Sequence, residues 1–472
     1  MHTEFLAEPE LEFGMGRHID IRLGISMYGA FDFGSELAPK EIRLAVVGTA
    51  ESADGLQSWL RKCRSGIDAK ESRQPNLFPQ FPGFHENVGF RCSLSMPSQL
   101  QRTIGEKEIQ ALSALSHDDA VRAAADLYIS ELQYLAQGNV GFDVMACSLP
   151  PTLLEILEPE TSSSHRDSGG INFRSLLKAR AMAFGKPIQL VRPRTYGAAA
   201  RRRKGSAQSR PVQDEATRAW NIHAALYYKA QGLPWRLARP AAEYATCYVG
   251  IAFYRSLDQA RVETSMAQVF DDRGSGMIVR GGTAKWSRDD RQVHMDEKGA
   301  HDLLANALSA YRQEHRHAPA RVVVHKTSAY NDAELSGFSR SLDEAQIELF
   351  DLVSLSSSLT RLFRHGAYPP LRGTFLHLDE SKGVLYTKGS VSFYQTYPGQ
   401  YVPMPVLIRR DRSEQPLRVL ANDVLSLTKM NWNNTQFDGG VPITISAARY
   451  AGDVLKYLPE ESTLASQYRF YM

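Results

Sequence analysis

The segment that decides the fold of the second half of the chain is TCYVGIAFYRSL (246–257), followed by QARVETSMAQVFD (259–271) and GMIVRGG (276–282). These stretches are rich in β-branched and aromatic residues and predict three successive antiparallel strands. Apolar residues at helical spacing in 297–313 predict an amphipathic helix, and RVVVHKTS (321–328) predicts a buried strand followed by another helix. Three strands, a helix, a strand and a helix is the order of an RNase H-like fold.

The first half of the chain alternates strands with helices. The predicted strands are EIRLAVVGTA (41–50), VGFDVMACSLP (140–150) and KPIQLVRP (186–193), and the predicted helices include 52–63, 117–136 and 172–185. This α/β alternation predicts a parallel, Rossmann-like sheet. Ser52 is the expected N-cap of the first helix. We expect an extended lead-in over 1–40, a Rossmann-like domain over 41–240 and an RNase H-like domain over 241–472.

The composition is that of an ordinary globular protein and excludes a disordered chain or a fibre. The chain has 472 residues, 55 Lys plus Arg against 52 Asp plus Glu, and a net charge of +3. No stretch approaches 18 uninterrupted apolar residues, and the N-terminus lacks a basic region followed by an apolar run. We therefore expect neither a membrane span nor a signal peptide. The four cysteines lie far apart without metal-ligand spacing, so we expect a reduced, cytoplasmic protein without structural zinc.

Although the net charge of the chain is small, one segment is strongly basic. Residues 172–210 contain eleven Lys and Arg and no Asp or Glu, so the segment carries a charge of +11. Such a field attracts polyanions, because contacts with phosphates release counterions. A solvated basic face is the alternative explanation for the RRRK run at 201–204, within a predicted loop at 195–213. The nucleic-acid interpretation is favoured because the basic residues begin in a predicted helix and continue across a strand.

Four segments resemble prokaryotic Argonaute proteins in their order and spacing. They are RAWNIHAALYYKAQGLPWRL (218–237), YVGIAFYRS (248–256), RVVVHKTSAYNDAELSGF (321–338) and KMNWNNTQFDGGVPITISAARYAGDVLKYL (429–458). No single segment would be sufficient, but the resemblance extends over nearly the whole chain. The resemblance implies a short Argonaute, made of a MID domain that holds the 5′ end of a guide strand and an RNase H-like PIWI domain.

The resemblance implies a pocket for the guide 5′-phosphate in the MID domain. Members of the family hold this phosphate with a Tyr, His or Arg, a Lys four residues on, a Gln roughly eleven further and a later Lys. Arg174, Lys178 and Gln189 match this pattern, and Lys229 is our choice for the final lysine. The chemistry of these residues also fits a phosphate pocket. Arg and Lys at i and i+4 share one face of a helix, and Arg can hold a phosphate with two hydrogen bonds. Without Gln189, Arg174 and Lys178 would also fit an exposed basic helix face.

The resemblance suggests further contacts. In some relatives the C-terminal carboxylate helps to bind a divalent ion at this pocket, so we expect Met472 to supply a carboxylate for Mg²⁺ there. The apolar-aromatic tail QYRFYM fits such a buried terminus and fits simple packing equally well. Other candidates for nucleic-acid contacts are Asn221, Arg192, Arg194, Lys429, Asn431 and Arg449.

The PIWI positions that carry nuclease carboxylates in active relatives hold other residues in this sequence. An RNase H-like nuclease needs several acidic side chains to hold two metal ions. The corresponding positions are occupied by Ala252 in VGIAFY, by Thr327 after RVVVHK, and by the Ala448/Arg449 region of the last helix. We therefore expect a catalytically inactive cleft that binds a duplex and does not cut it.

The resemblance predicts a guide-binding subunit of a prokaryotic immune system. We expect a 5′-phosphorylated guide RNA and a complementary single-stranded DNA target, with specificity supplied by base pairing. Short Argonautes typically act with an APAZ-containing effector protein. We expect this partner in trans, with a sirtuin-like or TIR domain that degrades NAD in response to plasmids or phage, as in abortive infection. The expected assembly is a heterodimer, or a higher oligomer when activated.

Two alternatives stay open. The first is a guided nuclease that uses unusual acids, for which the candidates are Asp258, Asp332 and Glu334. The second is a two-domain α/β protein that binds a small anion at 172–192, which would leave the RNase H-like half unexplained.

Overall fold

The computed structural model describes residues 1–158, 170–197, 212–238, 244–270, 276–363, 365, 369–397, 399, 402–437, 439–459 and 467–472. The RRRK run at 201–204 and most of the predicted loop at 195–213 lie outside the described residues.

A parallel sheet with helices around it forms the first half of the molecule. The strands of this half are β1 (His2–Phe5), β2 (Leu11–Glu12), β3 (Arg17–His18), β4 (Glu41–Gly48), β5 (Ser93–Ser95), β6 (Gln101–Thr103), β7 (Val144–Ser148), β8 (Ile188–Val191) and β9 (Arg236–Leu237). Strands β4 to β8 form the parallel sheet, β2, β3 and β9 form a small antiparallel sheet, and β1 joins the sheet of the second half. Its helices are α1 (Ile21–Tyr28), α2 (Ala50–Arg64), α3 (Glu106–Ala111), α4 (His117–Gln137), α5 (Pro151–Leu157), α6 (Phe173–Ala181), α7 (Pro193–Tyr196) and α8 (Glu215–Lys229). Strands β4, β7 and β8 pair in parallel, with β5 and β6 also parallel to β4. The predicted Rossmann-like α/β arrangement is confirmed.

A long mixed sheet forms the second half. Its strands are β10 (Thr246–Arg255), β11 (Val262–Phe270), β12 (Gly276–Trp286), β13 (Val293–His294), β14 (Arg321–Lys326), β15 (Leu349–Ser357), β16 (Thr374–His377), β17 (Lys382–Leu385) and β18 (Val406–Arg412). Its helices are α9 (Glu297–His315), α10 (Asp332–Glu344), α11 (Leu417–Leu427) and α12 (Ile443–Leu455). Strands β10, β11 and β12 are antiparallel neighbours, and β10, β14 and β15 run in parallel. This confirms the predicted RNase H-like order.

Strand β10 is buried on both faces of this sheet. Its residues Val249 and Ile251 pack with α9 and α10, whereas Tyr248 and Ala252 face the core that contains α12. Helix α12 approaches the strand closely at Gly250, where a Cβ atom would collide with the backbone of α12. A glycine therefore allows α12 to lie directly on the strand that carries Ala252.

The two halves share one hydrophobic core, which includes strands β4 and β10, helices α8 and α12 and the C-terminal residues. Two tryptophans join them by hydrogen bonds to the backbone. The indole of Trp235 donates to Lys429 O at 3.0 Å, and the indole of Trp432 donates to Trp235 O at 3.0 Å. Both tryptophans are fully buried, so the two halves pack as one body.

Two local predictions are wrong. The N-cap of α2 is Thr49, whose hydroxyl accepts from Ser52 N at 3.4 Å, because the helix starts directly after β4 and Ser52 already lies in its first turn. The segment 1–40 is not simply extended, since it contains helix α1, capped by Asp20. Glycines within GRHIDIRLGISMYG hide the helical period. The segment also supplies β1, which pairs with β16 at the edge of the long sheet.

Candidate nucleic-acid interface

Helix α6 presents the predicted pair Arg174 and Lys178. The helix begins where the side chain of Asn172 accepts a hydrogen bond from Ser175 N at 3.0 Å. One turn separates the two basic side chains, but their environments differ. Arg174 is exposed and lies over the ring of Tyr450 on α12, whereas Lys178 is only 3% exposed. The simple exposed basic face is therefore excluded for Lys178.

The last residues of the chain close over Lys178. Its ammonium group donates to Tyr471 O at 3.0 Å and to the main-chain oxygen of Met472. Tyr471 and Met472 are almost fully buried, so the tail packs beneath α6. Backbone oxygens thus hold this lysine, and no carboxylate side chain among the described residues bonds to it.

Lys229 is the third cation of the pocket. It ends α8, is 1% exposed, and its ammonium nitrogen has no hydrogen-bond partner among the described residues. Burial and then the charge of Arg174 lower the pKa of Lys229 to about 7. Burial, then Arg174 and Lys229, also lower the pKa of Lys178. The structure therefore brings Arg174, Lys178 and Lys229 together, although Lys229 is distant in sequence.

Gln189 lies on β8, at the edge of the parallel sheet beside α6. Its side-chain nitrogen donates to Leu190 O at 3.1 Å, while its side-chain oxygen is buried and has no partner among the described residues. A side-chain amide can be turned so that its NH₂ group donates to a ligand oxygen. Gln189 can therefore offer a neutral donor from its position on β8.

This arrangement suits an anion. Buried like charges are costly, and a phosphate would supply negative charge and accept their hydrogen bonds. The Mg²⁺ expected at this pocket, with Met472 as a ligand, stays a prediction. No group of three His, Cys, Asp or Glu side chains is placed to hold a metal within the described part of the chain.

Several other predicted contacts have partners within the protein. Arg192 forms an ion pair with Glu158, with an N–O distance of 2.8 Å. Arg194 is exposed on α7, outside the pocket residues described above. Asn221 accepts from Thr435 N at 2.9 Å, which links α8 to the second half. Asn431 accepts from Asn433 N at 3.1 Å and stabilises a turn.

Lys429 requires a correction. The sequence suggested a nucleic-acid contact, but this side chain is 1% exposed, and its ammonium donates to Pro9 O at 2.6 Å and pairs with Glu8 at 3.0 Å. Glu8 also pairs with Arg372 at 3.0 Å. Lys429 therefore holds the N-terminal segment against the second half and does not face a ligand.

A cleft of about 300 Å³ lies at the predicted PIWI positions. Ala252, Thr327 and Arg449 line it together, as do Phe253, Arg291, Gln292, Val293 and Ser328. Ala252 and Thr327 lie close together because the parallel strands β10 and β14 end at the same edge of the sheet, with Ile251 opposite Lys326. Ala448 is instead fully buried in the core. None of the described lining residues is acidic.

The alternative acids do not line this cleft. Glu334 is fully buried, where it pairs with Lys326, accepts from Met295 N at 2.9 Å and bonds to His294. Asp258 accepts from Ala260 N at 3.0 Å in a turn after β10, and Asp332 is exposed in the first turn of α10. Glu334 therefore has a structural role, and the three acids do not form one site.

Sequence reasoning missed Arg291 and Gln292 as residues of the cleft. They lie in the polar turn between β12 and β13, where no periodic pattern of residues indicates their placement. Two hydrogen bonds hold this turn against the residues that follow β14. The side-chain oxygen of Gln292 accepts from Ala329 N at 2.7 Å, and the hydroxyl of Ser328 donates to Val293 O at 2.8 Å. Only the tertiary contact between this turn and the end of β14 shows that Arg291 shares a cleft with Arg449.

The fold is the MID–PIWI arrangement of Argonaute and Piwi proteins. Among solved structures, the chain is similar to Clostridium butyricum Argonaute bound to a guide DNA and a 19-mer target DNA, with a TM-score of 0.63 and 16% identity over 98% of this chain and 53% of that one. It is also similar to Marinitoga piezophila Argonaute in complex with a 5′-OH guide RNA, with a TM-score of 0.57 and 11% identity over 100% and 59% of the two chains. Drosophila Piwi has a TM-score of 0.57 and 14% identity over 99% and 56%.

A curated relative agrees with this fold. The chain is 22% identical to the protein argonaute of Aquifex aeolicus over 242 residues, which are 50% of this chain and 31% of that protein. No protein-family profile matches the chain. The chain thus spans about a third of the curated relative and little more than half of the solved structures. Of the helices that the structure describes, none is long and apolar enough to cross a membrane.

Proposed function

We propose that this chain is an Argonaute-family protein that binds the 5′-phosphorylated end of a short guide, with RNA as the preferred guide. The observation that carries the proposal is the buried ammonium of Lys229, which lies without a described hydrogen-bond partner beside Lys178 and Arg174. A terminal phosphate carries close to two negative charges at neutral pH and offers several acceptor oxygens. It would satisfy this group, and Gln189 can add a further hydrogen bond.

The guide pairs with a complementary target strand, single-stranded DNA in our proposal, and base pairing supplies the sequence specificity. The relatives support this step, since the Clostridium butyricum structure contains a guide DNA with a target DNA and the Marinitoga piezophila structure contains a guide RNA. The small-anion alternative is less favoured, because the RNase H-like half would then have no role.

We propose that the protein holds the target without cutting it. The cleft at the end of β10 and β14 presents Ala252, Thr327 and Arg449 where two metal ions would need carboxylates. Target recognition must then be passed on. We propose a separate APAZ-containing effector, sirtuin-like or TIR, that degrades NAD and so defends the cell against plasmids or phage. This last step rests on the resemblance to short Argonautes.

The experiment is to load the protein with a 5′-phosphorylated guide RNA and add an end-labelled complementary DNA with Mg²⁺ or Mn²⁺. We expect the target to be retained at full length, and a non-complementary strand to be released. Addition of the APAZ partner should then cause NAD loss only with the complementary strand.

Metal-dependent cutting of the target would contradict the proposal and favour the nuclease alternative. Asp258→Asn and Asp332→Asn would then identify the acids, since both side chains are exposed or in a surface turn. Glu334→Gln is unsuitable, because it would disrupt the buried network with Lys326 and His294.

A further inference from the structure

The cleft at the end of β10 has the charge opposite to that of a metal site. Arg291 and Arg449 both line it, and none of its described lining residues is acidic. Neither guanidinium forms a hydrogen bond or an ion pair with a described residue, whereas Arg321 on β14 is paired with Asp351 and Asp423. Both Arg291 and Arg449 are exposed, so a ligand in the cleft can reach them.

The cleft has rigid walls and hydroxyl groups at its floor. Gln292 and Ser328 are both fixed by hydrogen bonds that connect the turn after β12 to the end of β14. Thr327 lies beside Ser328 in the lining. Two guanidinium groups and two hydroxyl-bearing residues match the chemistry of one tetrahedral phosphate, and the cleft of about 300 Å³ has room for it and the adjoining sugars.

Helix α12 places this cleft next to the guide-end pocket. Arg449 lines the cleft, and the adjacent residue Tyr450 lies under the guanidinium of Arg174, 5.7 Å from its ring centre. A nucleic acid held at Arg174 therefore lies next to a cleft that contains two arginines without a partner among the described residues. This continuity favours a phosphate of the bound nucleic acid over an unrelated small anion.

We infer that the cleft lined by Arg291 and Arg449 is a metal-independent binding site for one phosphodiester of the nucleic acid held by the protein. This inference rests on the proposed guide-binding function. The phosphodiester belongs either to the guide or to the target, and the chemistry of recognition is the same for both. The arginines would hold the backbone where a nuclease would hold metal ions, so binding would persist without cleavage.

The test uses Arg291→Ala, Arg449→Ala and the double variant, with guide and target binding measured separately in EDTA. Each single substitution should weaken binding by about 10-fold or more, the usual effect of losing a hydrogen bond to a charged group. The double variant should also reduce the dependence of affinity on salt by one to two phosphate contacts. Arg288→Ala is the matched control, because Arg288 is exposed in the same turn and does not line the cleft.

Guides and targets that carry a single uncharged methylphosphonate linkage identify the phosphate. In the wild-type protein, one or two adjacent positions should lose affinity, and the loss should disappear in the double variant. A sensitive position in the guide assigns the site to the guide, and one in the target assigns it to the target. Unchanged guide and target affinities in the double variant, as in Arg288→Ala, would overturn the inference.

A failure of the proposed function gives a different result. If the wild-type protein retains no phosphorylated guide, the pocket at Lys229 has been misassigned. Binding of a non-complementary single strand to wild type and to the double variant then still tests the cleft. Equal binding by the two proteins would overturn the inference in that case as well.

Discussion

Replacing Lys229 by methionine is expected to make the guide-free protein more stable and at the same time to weaken guide binding. Methionine keeps most of the side-chain volume and removes a buried charge that has no described hydrogen-bond partner. We expect the free energy of unfolding to rise by about 1 to 4 kcal/mol, as when other buried charges are replaced by apolar residues. Affinity for a 5′-phosphorylated guide should fall by about 2 to 5 kcal/mol, roughly 30- to 4,000-fold.

Chemical denaturation at pH 7 measures the first effect, and titration with 5′-phosphorylated and 5′-hydroxyl guides measures the second. Only the phosphorylated guide should lose affinity. Lys62→Met is the matched control, because Lys62 is 58% exposed and pairs with Glu215 on the surface, so both quantities should change little. A loss of stability in Lys229→Met, or equal losses for the two guides, would show that Lys229 has a structural role.

Binding of a 5′-phosphorylated guide is expected to take up protons and to weaken as the pH rises above 7. Lys229 has a pKa of about 7 in the free protein, so at pH 8 most of it is neutral. A bound phosphate, whose second pKa is about 6, stabilises the ammonium form and raises the pKa of Lys229 again. The dissociation constant should therefore increase by up to about tenfold per pH unit for this lysine. Burial also lowers the pKa of Lys178, so any change in its protonation on binding has the same sign as that of Lys229.

Calorimetric titrations at pH 8 in buffers of different ionisation enthalpy measure the proton uptake directly. Lys229→Arg keeps the charge at all these pH values, so it should bind with about one proton less than wild type. In the guide-free protein, Lys229 affects the free energy of unfolding, and a higher pH then increases stability, whereas it weakens guide binding. The unfolded chain holds the extra proton between pH 7 and the ordinary lysine range, so the stability contribution of Lys229 increases as the pH rises through that window. A guide affinity independent of pH between 7 and 9 would contradict the buried-lysine account.

The sequence predicted the fold well because its strands and helices have clear periods. The strands around Val249 and Val323 and the helix from Glu297 were found within a few residues of their observed bounds. The N-terminal segment was not, because glycines interrupt helix α1 and because β1 pairs with β16, more than 370 residues away. Local patterns carry no information on such a distant pairing.

The candidate pocket was predictable in part. The spacing of Arg174 and Lys178 places them on one helix face, and the family resemblance added Gln189 and Lys229. The burial of Lys178 beneath Tyr471 and Met472 depends on a contact across the whole chain and could not be read from local spacing. The same limit explains Lys429, whose partner Glu8 lies near the other end of the chain.

In the cleft at the end of β10, two residues were predicted from the sequence and one arginine was not. Ala252 and Thr327 were placed correctly in one site, because each follows a buried strand and parallel strands end at the same edge. Arg291 came from a turn with no pattern of its own. The non-acidic residues Ala252 and Thr327 were thus visible in the sequence, whereas the second arginine of the cleft was visible only in the structure.

The most direct measurement is to purify the protein from its host, extract any bound nucleic acid and end-label it with and without prior phosphatase. We predict short strands that accept label only after phosphatase, present in wild type and in Arg180→Ala, and lost in Lys178→Met/Lys229→Met. Arg180 is the control because it lies on the same helix and pairs with Asp126 on the surface. Recovery of equal amounts of 5′-phosphorylated strands from the double methionine variant would contradict the account, as would a wild-type protein free of nucleic acid even when co-expressed with the proposed APAZ-containing partner.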